Sequence, residues 1–189
     1  MKTRILALLT ALTLALAACG GSAAPPDEPE PPPPPAVEDE TIALDTLNVE
    51  FAVDGRDADA LLALQKAFPA ALTDALAKQN VTVETVNVTF GSSGEATETA
   101  LRGGAVQLAF LSVGDYLPYR YGELVALERG GEGDDARGLV VFGSAEPHII
   151  DALRAALPEL APTLASYAAE ASEGVYEWDA AAAEALLNS

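Results

Sequence analysis

A strand–helix–strand unit is encoded by residues 81–112, which read VTVETVNVTFGSSGEATETALRGGAVQLAFLS. The first part, Val81 to Phe90, is rich in β-branched residues, which favour a strand. Gly91-Ser92-Ser93-Gly94 interrupts this run, and the sequence then predicts a short helix from Glu95 to Arg102. Gln107 to Leu111 is a compact apolar run, which predicts a further strand.

The segment before this unit adds one strand and one helix. Leu47 to Val53 alternates apolar and polar residues, which predicts a strand, and Asp57 is placed to cap the helix that follows. Pro69 falls inside that helix, so we expect a kink or a second helix start there. Strand, helix, strand, helix and strand in this order are typical of a parallel sheet covered by helices. We therefore predict an α/β fold with a mainly parallel sheet and helices on both faces.

The segment after residue 112 predicts two more strands and several helices. A short helix around Tyr116 precedes a strand near Leu124 to Leu127, and Leu139 to Phe142 is a buried strand beyond an acidic, Gly-rich loop. The later helices are predicted at Pro147–Leu157, at Pro158 to about Ala171, and at Asp179–Leu187. Together these elements form one α/β domain, residues 42–189.

The charge balance and the rarity of Cys and His exclude several classes of protein. The chain has 189 residues, with 10 Lys and Arg against 29 Asp and Glu and a formal charge of −19, so it lacks the basic face that a nucleic-acid-binding protein needs. One Cys and one His exclude a disulfide within the chain and a Cys-based or His-rich metal cage. There is no catalytic triad, phosphate-cradling Gly-Lys motif or metal-ligand spacing. We predict no enzyme activity, no cofactor and no metal.

The N-terminus has the pattern of an export signal. Two basic residues precede Ile5 to Ala18, an almost wholly apolar run that is shorter than the roughly 20 residues needed to span a bilayer. Leu16 to Gly20 resembles a bacterial lipobox, which implies removal of a signal peptide, residues 1–18, and lipidation of Cys19. An ordinary signal peptide with an incidental Cys is the alternative. We expect an exported protein, anchored only by its lipid to the outer face of the cell membrane or to a periplasmic membrane surface.

Residues 19–41 are predicted to form a tether between the lipid and the domain. After Cys19, this stretch holds eight of the 13 Pro and six acidic residues, and it has no Lys or Arg. Consecutive prolines favour an extended polyproline helix, and so polar a stretch cannot bury a core. A ligand for an aromatic groove is the alternative interpretation.

Residues 101–116, which read LRGGAVQLAFLSVGDY, resemble the phosphate/phosphite/phosphonate family of ABC-transporter substrate-binding proteins. In that family a helix ends near a Leu-Arg pair and a Gly, a strand reading Asp-Ile-Ala-Phe-Leu-Gly follows, and the next helix carries a Tyr. Glu173 to Asp179 is similar to the C-terminal part of these proteins. The resemblance implies one lobe of a type II periplasmic binding protein, a phosphonate-like or zwitterionic small solute as ligand, and an ABC permease as partner.

The chain departs from that family in its second half. Family members hold the ligand between two α/β lobes, and Leu139 to Ser144 resembles the strand that crosses into the second lobe. Only 45 residues follow Ser144, and they lack the Ser/Thr-rich phosphate-binding turn of that lobe. The Asp-Tyr pair that the family has at the tip of the second strand is replaced by Gly91-Ser92-Ser93-Gly94. We therefore expect one lobe of the clamp, with most of the second lobe absent.

Two strand ends carry the candidate ligand-binding residues. In open α/β sheets, ligands bind in the crevice at the carboxyl ends of the strands, where helix N-termini favour anions. Glu95 and Asp115 place negative charge at the same two helix starts, which favours a neutral or amine-bearing ligand over a simple oxyanion. The alternative is that these residues only cap two helices. The predicted ligand-binding residues are Ser92, Ser93, Gly94, Ser112, Gly114 and Tyr116.

A Tyr cluster and the single His complete the candidates. Three of the five Tyr lie within six residues, and this cluster has three alternative interpretations: a ligand wall, a surface for a partner or a packed loop around a proline. The cluster comprises Tyr116, Tyr119, Arg120 and Tyr121. His148 has no nucleophile near it in the sequence and is predicted to be a surface or cap residue. The leading hypothesis is a membrane-anchored, solute-binding lipoprotein of, or descended from, an ABC importer. The alternative is a cell-surface interaction protein that keeps the lobe as a scaffold without binding a ligand.

The lipobox provides a direct test of export and anchoring. We expect Cys19→Ser to be released from membranes or to accumulate as uncut precursor. The lipid is attached through a thioether to the sulfur of Cys19, and serine has no sulfur. Membrane fractionation and intact-mass measurement of the wild-type and variant chains check this. A wild-type chain recovered in the soluble fraction with Cys19 unmodified would contradict the prediction.

Overall fold

The computed structural model describes residues 41–53, 56–129, 137–141, 147–168 and 174–189. The predicted signal peptide, Cys19 and the tether up to residue 40 lie outside the described residues, as do the acidic loop and residues 142–146. Within the described ranges, no helix is both long and apolar enough to cross a membrane.

The described residues form six strands and six α-helices. The strands are β1 Ile42–Ala52, β2 Val81–Gly91, β3 Leu108–Ser112, β4 Glu123–Glu128, β5 Arg137–Val141 and β6 Tyr176–Glu177. The helices are α1 Ala58–Ala77, α2 Gly94–Arg102, α3 Val113–Tyr116, α4 Pro147–Ala156, α5 Ala161–Leu164 and α6 Ala180–Leu187, and a 3-10 helix, Leu157–Leu160, joins α4 to α5.

These six strands belong to one sheet with the order β2-β1-β3-β5-β4-β6. β1 lies between β2 and β3 and is parallel to both. β5 is antiparallel to its neighbours β3 and β4, and β6 is antiparallel to β4. The helices pack on both faces of the sheet, with α1 on one face and α2 on the other. The predicted α/β class is therefore confirmed as a Rossmann-like arrangement whose three parallel strands are extended by antiparallel ones.

The face that α1 covers holds the larger core. Phe51 of β1 stacks on Phe110 of β3 with ring centroids 4.4 Å apart, and Phe68 of α1 meets Phe51 edge-on at 5.0 Å. Tyr167, in the turn after α5, packs against Phe51 at 4.9 Å. Its hydroxyl group lies 3.0 Å from the carbonyl oxygen of Ala52 and 2.9 Å from that of Phe110. Tyr167 thus bridges β1 and β3 at the point where their pairing ends.

The opposite face holds a smaller core beneath α2, α3 and α6. Successive side chains of a strand point to opposite faces of the sheet. β1 and β3 therefore contribute to this smaller core through the residues that alternate with their residues in the larger core. α6 adds little to this core, since Ala183 is its one buried residue. The buried residues of this core are Ala52, Leu101, Val106, Ala109, Leu111, Tyr116, Leu124 and Ala183.

Prolines bear on two helix predictions. α1 is one helix from Ala58 to Ala77, so the alternative of a second helix start at Pro69 is wrong, whereas the kink stays a prediction. Leu and Phe side chains are buried on both sides of this proline, and their packing offsets the hydrogen bond that the ring removes. The helix predicted from Pro158 onward is instead the 3-10 helix and the four-residue α5, each with a proline in its first turn. Pro158 and Pro162 lack the N–H group that a continuous helix would need there.

The Tyr167 bridge generates a prediction about stability. We expect Tyr167→Phe to lower the free energy of unfolding by about 1–3 kcal/mol, because the variant leaves carbonyl groups of β1 and β3 buried without this donor. Urea denaturation of the wild-type and variant chains measures the difference. Tyr119→Phe is the matched control, since Tyr119 is exposed, and its stability should stay within about 0.5 kcal/mol of wild type. Equal losses in the two variants would contradict the bridge.

Candidate functional site

The carboxyl ends of the three parallel strands meet at one edge of the sheet. β1 ends at Ala52, β2 at Gly91 and β3 at Ser112, and the strand register places Ala52 beside Gly91. α2 begins within three residues of the end of β2, and α3 begins directly after β3. Both helix N-termini therefore lie at this edge, which we call the strand-end edge. It is the position where open α/β sheets bind ligands.

The turn between β2 and α2, residues 91–94, carries three of the predicted ligand-binding residues and is called the serine turn below. Ser92 and Ser93 are exposed, whereas Gly94 is buried. Ser93 is the N-cap of α2, because its Oγ accepts a hydrogen bond from the Ala96 N–H group at 3.2 Å. The Ser92 hydroxyl makes no hydrogen bond within the described part of the chain. Its donor hydrogen and its lone pairs are therefore available to a ligand, whereas the Ser93 oxygen already accepts from α2.

Ser112 and Asp115 form a reciprocal cap at the start of α3. The Ser112 hydroxyl donates to Asp115 Oδ2 at 2.7 Å, and its oxygen accepts from the Asp115 N–H group at 3.1 Å. A Cβ atom added to Gly94 would lie 2.4 Å from the side chain of Asp115, so the Gly94 backbone packs directly on this carboxylate. Gly114 is half-buried in α3. The structure thus brings Gly94 and Ser112 into one group, with Asp115 between them.

Tyr116 belongs to the core beneath α2, α3 and α6. It is 6% exposed, and its hydroxyl group donates to the carbonyl oxygen of Gly122 at 3.4 Å. Burial raises the pKa of the Tyr116 phenol above its ordinary value; the Arg120 guanidinium lowers this pKa and the Glu123 carboxylate raises it. The ring supports α3 from within, and a direct contact with a ligand stays a prediction.

The other aromatic and imidazole candidates lie in different surroundings. Tyr119 is 43% exposed, whereas Tyr121 is half-buried, with the Arg102 guanidinium 4.6 Å from the centre of its ring. With Tyr116 in the core, the three Tyr side chains do not form a single wall. His148 is exposed in the first turn of α4, which is the surface position that the sequence predicts.

A buried carboxyl group at this edge was missed by the sequence analysis. Glu50 of β1 is 9% exposed. Its Oε2 atom accepts a hydrogen bond from the Thr89 hydroxyl at 3.3 Å, whereas Oε1 has no hydrogen-bond partner. A Cβ atom added to Gly91 would lie 2.6 Å from Oε1 and 2.1 Å from the hydroxyl oxygen of Thr97. Glu50 therefore lies beside the serine turn and against the first turn of α2. The signal was present, because a central strand covered on both faces must bury its charged residues.

The strand-end edge is acidic. Glu95 is in the first turn of α2 and Asp115 in that of α3, and Glu50 lies beside the serine turn. Arg56 is the first basic residue after β1 in the described ranges, and it does not pair with these carboxylates. Its Nη1 atom donates to the Ala168 carbonyl oxygen at 2.9 Å. The described residues include no group of three or more His, Cys, Asp or Glu that could hold a metal ion. The net charge of the edge therefore opposes anions, although two helix N-termini lie there.

Comparisons with known proteins bear on the fold alone. No protein-family model and no curated protein matches the chain. Among solved structures, the chain is similar to one described as XAC2383 from Xanthomonas citri bound to chloride ion, with a TM-score of 0.57 and 8% sequence identity over 76% of this chain and 95% of that chain. At this identity the likeness shows a shared α/β fold. The relation to phosphonate-binding proteins stays a prediction from the motif in residues 101–116.

The contact between α2 and α3 generates a stability prediction. We expect Gly94→Ala to lower the free energy of unfolding by about 1–3 kcal/mol, because the new methyl group overlaps an Asp115 side chain that Ser112 holds in place. Thermal or urea denaturation measures the loss. Gly103→Ala is the matched control at the other end of α2: its backbone φ is −76° and its nearest neighbour would be 3.2 Å away. A Gly94→Ala variant as stable as this control would contradict the packing described.

Proposed function

We propose that the domain binds a small solute at the strand-end edge and is the binding component of an exported, lipid-anchored protein. The observation that carries the proposal is the juxtaposition at this edge of the free Ser92 hydroxyl, the two helix starts and the buried carboxyl group of Glu50. A free hydroxyl and an unsatisfied carboxylate oxygen at the carboxyl ends of parallel strands are groups suited to orient a ligand.

The charges favour a solute that is neutral or carries an amine. Three carboxyl groups, those of Glu50, Glu95 and Asp115, lie at the first turns of α2 and α3. They interact favourably with the positive ends of the two helices and repel a phosphate or phosphonate dianion. An amino acid or an aminophosphonate therefore fits better than simple phosphonate, which the family resemblance alone would suggest.

The expected affinity is low, and delivery would be to a membrane partner. The described residues of the strand-end edge would contact a ligand from one side, whereas good sites bury roughly 70–90% of a ligand's surface, so we expect a dissociation constant of about 0.1–1 mM. The partner that follows from the family resemblance is an ABC permease. Lipidated Cys19 and the tether would keep the domain at the membrane surface beside it.

Two observations favour the alternative, a cell-surface interaction protein without a ligand. Ser93 and Ser112 use their hydroxyl groups to cap α2 and α3, as structural residues do. Tyr119 and Trp178, in contrast, are 43% and 42% exposed, and exposed aromatic residues are common in protein–protein contacts.

A titration followed by NMR separates the two functions. We expect an amino acid or aminophosphonate added to the full chain in detergent micelles to shift the amide signals of residues 91–95 and 112–116. Ser92→Ala should weaken binding severalfold without loss of stability, because the Ser92 hydroxyl makes no hydrogen bond within the described part of the chain. Ser93→Ala is less suitable, since it also removes the α2 cap.

A serine distant from the strand-end edge provides the control for this titration. Ser166→Ala, at an exposed position in the turn before Tyr167, should leave the affinity unchanged. Micromolar affinity for simple phosphonate would contradict the charge argument. No shift at either strand end with any amino acid, aminophosphonate or phosphonate, together with a protein partner that Tyr119→Ala releases, would establish the interaction protein instead.

A further inference from the structure

Glu50 is a buried acid without a cation. Its side chain is 9% exposed, and none of the Lys and Arg residues in the described ranges forms an ion pair with it. The Thr89 hydroxyl donates to Oε2 at 3.3 Å, and Oε1 has no hydrogen-bond partner. The Thr97 hydroxyl, although close to the same point, donates to the carbonyl oxygen of Ser93 at 3.3 Å. The carboxyl group is therefore half satisfied by the chain itself.

A half-satisfied carboxylate is costly inside a domain. Buried charges are as a rule paired with an opposite charge or fully hydrogen-bonded, because removal from water is otherwise uncompensated. An aliphatic residue at this position of β1 would avoid that cost. The group that Oε1 lacks is a cationic hydrogen-bond donor, and no described residue supplies it. A donor from outside the chain would complete the site.

We propose that Glu50 recognises the amine of the solute and that its Oε1 atom binds an ammonium group. This inference rests on the solute-binding function proposed above and names the ligand class of that site. An ammonium group supplies both the positive charge and the N–H donors that a carboxylate oxygen requires. The free hydroxyl of Ser92, in the adjoining turn, provides a second polar contact for the same small molecule.

The serine turn covers Oε1, so binding requires this turn to move. Gly91 lies next to the oxygen, since a Cβ atom there would be 2.6 Å from it, and Ser92 and Ser93 beyond Gly91 are exposed. Gly94 is held by its packing on Asp115, and Ser93 caps α2. A shift at Gly91 and Ser92 that admits the ammonium group therefore breaks the 3.2 Å hydrogen bond from the Val53 N–H group to the Gly91 carbonyl oxygen. An ammonium group that enters here is expected to change the environment of this turn and of the end of β1.

Ethanolamine is a suitable probe, because it has one ammonium and one hydroxyl group. We expect it to shift the amide signals of residues 49–51 and 91–95 in the full chain in detergent micelles. Choline, whose quaternary nitrogen has no N–H donor, and ethylene glycol, which has no charge, should bind at least tenfold more weakly. Glu50→Gln should weaken ethanolamine binding at least tenfold. Glu84→Gln, an exposed carboxylate of β2 away from the strand-end edge, is the matched control and should change it less than threefold.

Stability separates recognition from a structural role. Because Oε1 has no partner in the free protein, Glu50→Gln should melt at or above the wild-type temperature. A fall of more than about 5 °C would assign the carboxylate to the fold and overturn the inference. Glu50→Asp, which withdraws the charge by one methylene group, should also weaken binding, and retained affinity in either Glu50 variant would overturn it.

The remaining outcomes tell the two proposals apart. Binding of an uncharged or anionic solute at residues 91–95 that is unaffected by Glu50→Gln would overturn the role of Glu50 and leave the solute-binding function standing. No binding of ethanolamine, amino acids or aminophosphonates would overturn both.

Discussion

The rest of the structure depends on the burial of β1 from both sides. Its two sheet neighbours, β2 and β3, run parallel to it, helices cover both faces, and every residue from Val49 to Ala52 is buried. Phe51 points towards α1 and anchors the aromatic core with Phe110 and Tyr167. Glu50 points towards α2 and forms part of the strand-end edge. One strand therefore provides both the main stabilising contacts and the most unusual polar group of the domain.

The local sequence predicts the parallel half of the sheet well, because alternation and helical spacing are local properties. The position of β5 between β3 and β4 depends on contacts between distant segments, which periodicity does not encode. The same holds for the hydroxyl of Tyr167, which meets carbonyl groups 57 and 115 residues away. At the candidate site, the two caps follow from Ser at helix starts. The packing of Gly94 on Asp115 could not be predicted from the sequence, because it depends on how the fold brings α2 and α3 together.

The caps and the charges of the strand-end edge both act against the binding of an anion. Ser93 and Ser112 already satisfy N–H groups of α2 and α3, and Asp115 and Glu95 add negative charge to the same two turns. A helix N-terminus that is capped and faced by carboxylates no longer attracts anions as a free one does. The positions that suit a phosphate group in open α/β sheets are thus chemically altered in this chain, so selectivity in the proposed site would come from other groups.

A solute at the proposed site would be contacted by the described strand-end edge from one side. Contacts on one side leave much of the ligand in water, so dispersion and burial contribute little, and specificity depends on a few strong polar interactions. For an exposed carboxylate, such an interaction is weakened by the water that must be displaced. Glu50 has lost most of its water on folding, since its side chain is already buried. In the proposed site, an ammonium group that reaches Oε1 would therefore replace a missing partner and not a hydration shell, which would make this oxygen the strongest source of selectivity at the edge.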